Sequence, residues 1–271
     1  MMITIPLHLP RAWPLDRTIG VTLLVLVMAF ALFAPLLVPG DPFAQSLMKS
    51  LAGPEAVAPF GYDHLGRSLW HRLAHALRLS PVIALAAVAT AGAAGLILGT
   101  LAAARGGLVE RMLVILVDAL MALPGLLLVL IVLAIMPGTA AGFWAGLALV
   151  LWVEFFRLTR AASRATLASP AVQAARLLGF GWPYIFRTHL WPEVAPLILT
   201  AAAFGTASAI MAIAALGFVS VGMSAPTPEL GLMMVELLPY WREAPMALLT
   251  PVLATFALLL GLTLLARENK I

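Results

Sequence analysis

The chain has no cysteine, so disulfides, thiolate metal sites and cysteine nucleophiles are excluded from its chemistry. Lysine is nearly missing as well: Lys49 and Lys270 are the only two, and neither ends a Gly-x-x-x-x-Gly-Lys-Ser/Thr run. A phosphate-cradling P-loop needs that lysine beside its glycine amides, so any nucleotide hydrolysis falls to another chain. Charge of either sign is scarce, at 10% of the 271 residues, against about 25% in ordinary soluble domains. Hydrophobic residues make up 63% and the mean hydropathy is +1.05. Too few polar side chains remain to cover a water-facing surface, which makes lipid the solvent for much of the chain. The formal net charge of +4 is modest and does not suggest a nucleic-acid partner.

Apolar stretches occur at about 18–38, 80–104, 112–136, 140–156, 195–218 and 246–266, lengths suited to crossing roughly 30 Å of hydrocarbon at 1.5 Å per residue. They predict an all-α integral membrane protein of six transmembrane helices with both termini on one side. The chain divides into an anchor helix with an outer loop over 1–79 and a core over 80–271, which carries a long inner loop at about 157–194. Arg11 and Arg17 precede the first stretch and Ala29-Phe30-Ala31 lies within it, as in a secretory signal. Its apolar run exceeds the 7 to 15 residues of a signal core, which favours an uncleaved anchor. Arg11, Arg17, Arg105, Arg111, Arg157, Arg160, Arg164, Arg176, Arg187, Arg267 and Lys270 share the side of the termini; Lys49, Arg67, Arg72, Arg78 and Arg242 lie opposite. The larger basic set marks the cytoplasmic side, so both termini are expected there.

Asp118 is the one ionisable residue well inside a span, and Glu154 lies near an interface. An ion-coupled carrier normally assembles several intramembrane carboxylates or histidines, and their scarcity counts against that class. A buried carboxylate is expensive, which favours function for Asp118. A single one forms no relay, so a structural hydrogen bond to a neighbouring helix or arginine is preferred. Pro124 removes a backbone donor and is expected to bend the third span. The second span is rich in small residues, among them Gly92, Gly95 and Gly99, and packs closely on its neighbours, either as a pore wall or simply within a tight bundle. His64, His71 and His75 share the outer segment. Two of them at i, i+4 without a third ligand are weak evidence for a metal, and an interfacial helix from Ser68 to Leu79 explains them more cheaply. No metal site is assigned, and no catalytic constellation is evident.

In the inner loop, Pro170 is positioned to open a short helix and Gly179 to stop it, and Pro183 stands where a second would begin. The result is two short helices joined by a glycine elbow. Phe180, Trp182, Tyr184, Phe186 and Trp191 are unusual in such a loop unless something covers them. A partner's groove is one cover and the bilayer surface is the other.

Gln173-Ala174-Ala175, Gly179, Trp191 and Pro192 resemble the EAA motif of ABC importer permeases, with Gln173 in place of the usual glutamate. Gly61-Tyr62-Asp63-His64-Leu65-Gly66-Arg67 resembles the Gly-Thr-Asp-x-x-Gly-Arg-Asp signature of peptide and nickel permeases, with Ser68 in place of the last aspartate. Ala225-Pro226-Thr227-Pro228-Glu229-Leu230-Gly231 resembles their outer segment after the fifth helix.

The resemblance runs from about residue 60 to 260 and implies a C-type subunit of the dipeptide, oligopeptide, nickel or metallophore importers, with the type I permease fold. It implies a second homologous permease subunit, two ATP-binding subunits that hold ATP and magnesium, and an extracytoplasmic solute-binding protein; this chain itself carries no cofactor. It places coupling to the ATPases at Gln173, Ala174, Ala175, Arg176, Gly179 and Pro192. On the outer face Asp63, Arg67 and Glu229, with Glu236 and Glu243, become candidate contacts for the binding protein, although solvated loop charges are the simpler reading and Asp63 and Arg67 are spaced to pair with each other. After Gly261 the tail departs from the family pattern. The expected location is the inner membrane. A membrane scaffold or receptor-like subunit that binds a cytoplasmic partner without transport is the competing reading.

Overall fold

The computed structural model describes residues 15–219 and 221–266. Arg11, Arg267, Lys270 and the divergent tail from 267 lie outside the described residues, as does the segment before the anchor helix. The order is α1 (Leu15–Leu37), α2 (Leu69–Arg105), α3 (Gly107–Met121), α4 (Gly125–Ile135), α5 (Ala140–Leu167), α6 (Pro170–Leu177), α7 (Trp182–Ile185), α8 (Trp191–Phe218), α9 (Leu230–Leu237) and α10 (Pro245–Ala266). A π-helical turn, Phe186–Leu190, joins α7 to α8. Among the described residues five helical stretches are long and apolar enough to cross a membrane, and the α3–α4 pair makes a sixth span if the two are counted together.

That pair corrects the expected third span at 112–136. The two helices meet at 86°, so the segment is a broken span or a re-entrant pair rather than one bent rod. Pro124 has no amide hydrogen to donate and disfavours the helical region at the residue before it; α3 ends at Met121, and Pro124, itself extended at ψ 131°, starts α4 in a new direction.

Other boundaries shift for a single reason. The expected interfacial helix at 68–79 and the second span are one helix of 37 residues, so the 79/80 division falls inside α2. At 1.5 Å per residue α2 is about 55 Å long, longer than the hydrocarbon, and its first turns carry His71, Arg72 and His75 beyond the apolar stretch. Likewise α5 continues through Arg157, Arg160 and Arg164 to Leu167. The inner loop expected to begin at 157 is therefore largely helical.

The core lies where α2, α5 and α8 meet, around Phe143, Phe155, Phe156 and Ile210, all fully buried. Small residues permit this approach. A Cβ added to Gly95 would collide with Phe155 Cβ and stand 2.7 Å from Phe156 N; one on Gly99 would stand 2.8 Å from Thr159 Cβ. The contact of α1 with α10 uses the same device, since a Cβ on Gly20 would lie 2.9 Å from Gly261 O. By contrast Val25, Leu26 and Phe33 on α1 and Leu253 and Phe256 on α10 are exposed, a surface suited to lipid.

Candidate functional site: an apolar elbow and an opposed ion network

The elbow begins where Ser169 caps α6, its hydroxyl accepting the Val172 amide at 3.4 Å, with Pro170 in the first turn. The helix ends in a Schellman motif: the Gly179 amide donates to Arg176 O and the Phe180 amide to Ala175 O, each at 3.0 Å. Gly179 takes φ +83°, a left-handed conformation that residues bearing a Cβ resist. Gly181 and Pro183 then start α7. Val172, Ile185, Leu190 and Val194 form a small core of their own that holds the elbow together.

Apolar side chains face outwards from this frame. Leu177 is 89% and Leu178 76% exposed, and Phe180, Trp182, Tyr184 and Trp191 are each more than 40% exposed. Phe180 and Tyr184 stack with ring centroids 4.1 Å apart, which pre-forms an aromatic surface. Of the six residues expected to contact a partner, Gln173, Ala174, Arg176, Gly179 and Pro192 are exposed, whereas Ala175 is buried and packs inwards. Gln173 donates from Nε2 to Ala168 O at 3.1 Å, so it braces the start of α6.

Behind the elbow, Glu110 near the start of α3 accepts Arg160 Nε at 2.8 Å and Arg164 Nη1 at 2.9 Å. These bonds tie α3 to the last turns of α5, the helix that runs into the elbow. No motif signals this contact, because its partners stand 50 and 54 residues apart.

At the opposite end of the bundle, the three residues expected as surface contacts are internal, which corrects that assignment. Asp63 and Arg67 are each 1% exposed. Asp63 Oδ1 accepts the amides of Leu65 and Arg67, both at 2.9 Å, and its Oδ2 accepts Arg67 Nε at 2.6 Å. Arg67 Nη2 and Arg72 Nη2 both donate to Glu236 Oε2, at 2.9 and 2.6 Å. Two carboxylates thus balance two guanidiniums, and loop 61–68 and the start of α2 are clamped onto α9. Glu229, also 1% exposed, caps α9 by accepting the amides of Gly231 and Leu232 at 2.9 and 2.8 Å. Burial pushes its carboxyl above the usual range, against the pull of those amides. Of the acidic candidates on this face, Glu243 is exposed.

The histidines are separately engaged. His71 contacts Ser68 Oγ at 2.9 Å and Val38 O at 2.6 Å, His64 stacks on Tyr240, and His75 meets Phe43 edge-on. Among the described residues no group of three or more His, Cys, Asp or Glu is arranged to hold a metal. Asp118 departs from the expected structural hydrogen bond: it is exposed and lines a cavity with Arg157 and Arg160.

Over residues 95–267 the chain matches the family model described as binding-protein-dependent transport system inner membrane component. It is 36% identical over 232 residues to the di/tripeptide transport system permease protein DppC of Pseudomonas aeruginosa, covering 83% of this chain and 76% of that one. It is 30% identical over 254 residues to the dipeptide transport system permease protein DppC of Haemophilus influenzae, covering 91% and 86%. With the nickel transport system permease protein NikC of Escherichia coli it shares 28% identity over 238 residues, covering 88% and 86%.

Proposed function

The chain belongs to the family of binding-protein-dependent transport system inner membrane components, and from that premise we propose that it is one of two permease subunits of an ATP-driven importer of short peptides. It is a multi-pass inner membrane protein of the peptide and nickel permease group. Short peptides are the favoured substrate because the 36% identical relative is named for di- and tripeptides; nickel, or a metal chelate, is the other substrate the group suggests.

The single observation that carries the coupling role is the elbow. Exposed Leu177, Leu178, Phe180 and Trp182 sit on a capped, glycine-turned frame, the form a helix takes when it docks in a partner's groove. An ATP-binding subunit supplies that groove, one for this chain and one for its homologous partner, and these subunits hold ATP and magnesium. The elbow end and both termini face the cytoplasm, in keeping with Arg157, Arg160, Arg164, Arg176 and Arg187 at that end. The Asp63 to Glu236 end faces outwards, where the solute-binding protein docks, with Glu243 available to it. Closure of the ATPases pulls the elbow, and α5 and α8, continuous with it, carry the displacement into the bundle. Packed interfaces of this kind switch between discrete arrangements rather than bending smoothly.

The test reconstitutes the chain with its partner subunits in vesicles and follows ATP-dependent accumulation of a labelled dipeptide, with a photo-crosslinker at Phe180. Accumulation together with capture of an ATP-binding subunit is the expected result. Capture without accumulation of peptide or nickel would favour the scaffold reading, and no capture would remove the coupling role.

A further inference from the structure

The break between α3 and α4 leaves a cavity of about 790 Å³ against α5, walled by Leu120, Met121, Leu128 and Val150 and holding Glu154 and Arg157. A smaller cavity of about 480 Å³ shares Met121, Arg157 and Arg160 with it and adds Asp118. The larger volume lies within the range of small-molecule pockets, about 300–1,000 Å³.

The charges in it are unspent. Glu154 and Asp118 have no ion pair or hydrogen bond from their side chains to any described residue, and both are exposed to the cavities. Arg157 makes one polar contact, from Nη1 to the Met121 sulfur at 3.2 Å, which is weak for a guanidinium. Glu154 and Arg157 are three residues apart on one helical face and would ordinarily pair, yet Arg157 turns across the cavity towards α3. Arg160 is the exception, being held by Glu110. Glu154 stands fourteen residues into α5, about 21 Å along its axis. That places it near the inner end of the apolar stretch 140–156, where ionisable groups that face a cavity instead of pairing with each other mark a pathway or a ligand by default.

We propose that this cavity is a transit site for the two charged ends of a short peptide, Arg157 receiving the carboxylate and Glu154 and Asp118 the ammonium group. The guanidinium fork matches a carboxylate with two parallel hydrogen bonds, whereas an ammonium suits the acceptor-only carboxylates. The apolar walls take side chains without selecting among them. The inference rests on the import reading above and adds to it which chemistry the pathway recognises. A conducting site must bind enough to admit its cargo and weakly enough to release it, which an open, partly apolar cavity satisfies.

The experiment uses the assembled importer in nanodiscs, nucleotide-free and without the binding protein, and measures equilibrium binding of labelled dialanine, N-acetyl-dialanine and dialanine amide. Dialanine is expected to bind about ten- to a hundredfold more tightly than either capped form, the worth of one charged hydrogen bond. Arg157→Gln should abolish discrimination against the amide alone, Glu154→Gln combined with Asp118→Asn discrimination against the acetylated form alone, and Arg157→Lys should recover part of the first. Equal binding of all three peptides to the unaltered importer overturns the proposal, as does discrimination untouched by the variants. If the variants instead reduce the amount of assembled importer, the second permease subunit pairs these charges and the proposal fails. Vesicle uptake by the unaltered importer separates the two levels: normal uptake without discrimination sinks the transit site alone, whereas no uptake sinks the import reading and the site with it.

Discussion

Arg67 Nη2 lies 2.9 Å from Glu236 Oε2 across 169 residues of chain, in a network where the Arg67 side chain is 1% and the Glu236 side chain 15% exposed. Arg72 shares the same oxygen at 2.6 Å. Removing Glu236 therefore strands two guanidiniums with Asp63 as their only remaining carboxylate among the described residues. Breaking a buried pair in this way costs about 3–5 kcal/mol. Glu236→Gln is expected to lower the melting temperature of the detergent-solubilised importer clearly, while Glu243→Gln, on an exposed side chain, changes stability by no more than about 0.5 kcal/mol. Indistinguishable melting curves would show that the network does not clamp the outward end.

Gly179 separates coupling from folding. Its added Cβ would meet nothing within 4 Å, yet its φ is +83°, so a substitution there is opposed by backbone strain alone, about 1–2 kcal/mol. Gly179→Val is expected to assemble in normal amounts but to lose most ATP-driven uptake, because the turn that aims Phe180 and Trp182 is misplaced. Gly179→Asn, which tolerates the left-handed region, should retain more. Normal uptake and ATPase stimulation in the valine variant would show that the elbow's direction is immaterial.

Hydropathy made the ends of the bundle legible: 18–38 and 246–266 differ from α1 and α10 by three residues or fewer at either end. Hydropathy stops where charges begin, however, so the arginine-bearing end of α5 reads as loop and the histidine-bearing start of α2 as a separate interfacial helix, although each is continuous with its span. Pro124 signalled a bend, but a periodicity has no direction in space and carries nothing about 86°. Pro170, Gly179 and Pro183 act through local backbone geometry, and the elbow was accordingly readable. Spacing suggested a pair between Asp63 and Arg67, but its burial depends on Arg72 and Glu236. The latter partner, like Glu110 for Arg160, is brought in only by tertiary packing.

Two glycines one turn apart on α2 should behave differently. At Gly92 an added Cβ would sit 3.7 Å from the Phe155 ring, an ordinary contact, whereas at Gly95 it would lie 2.7 Å from the Phe156 amide nitrogen and collide with Phe155 Cβ. Gly92→Ala is expected to be neutral or slightly stabilising, since alanine is favoured over glycine within a helix by about 1 kcal/mol. Gly95→Ala must push α2 from α5 and costs about 1–3 kcal/mol as overpacking. Fluorescence-detected chromatography of heated samples would rank them, and a Gly95 variant as stable as Gly92→Ala would mean that the helices do not meet there.

Glu229 links stability to pH. Burial raises its carboxyl above the value of 4.5 that an exposed glutamate has, and the backbone amides of Gly231, Leu232 and Leu230 only partly offset this. The folded state therefore holds the proton more tightly than the unfolded state. Its contribution is fully present below about pH 4.5 and is lost as the pH rises through the folded value. Glu229→Gln keeps an acceptor for the cap on α9 and has no proton to lose. Between pH 5 and pH 7.5 the unaltered importer is expected to lose melting temperature relative to Glu229→Gln. A constant difference between the two across that interval would show that Glu229 titrates at the same pH in the folded and unfolded chains, and a widening in the opposite sense would mean that the amides of α9 outweigh its burial.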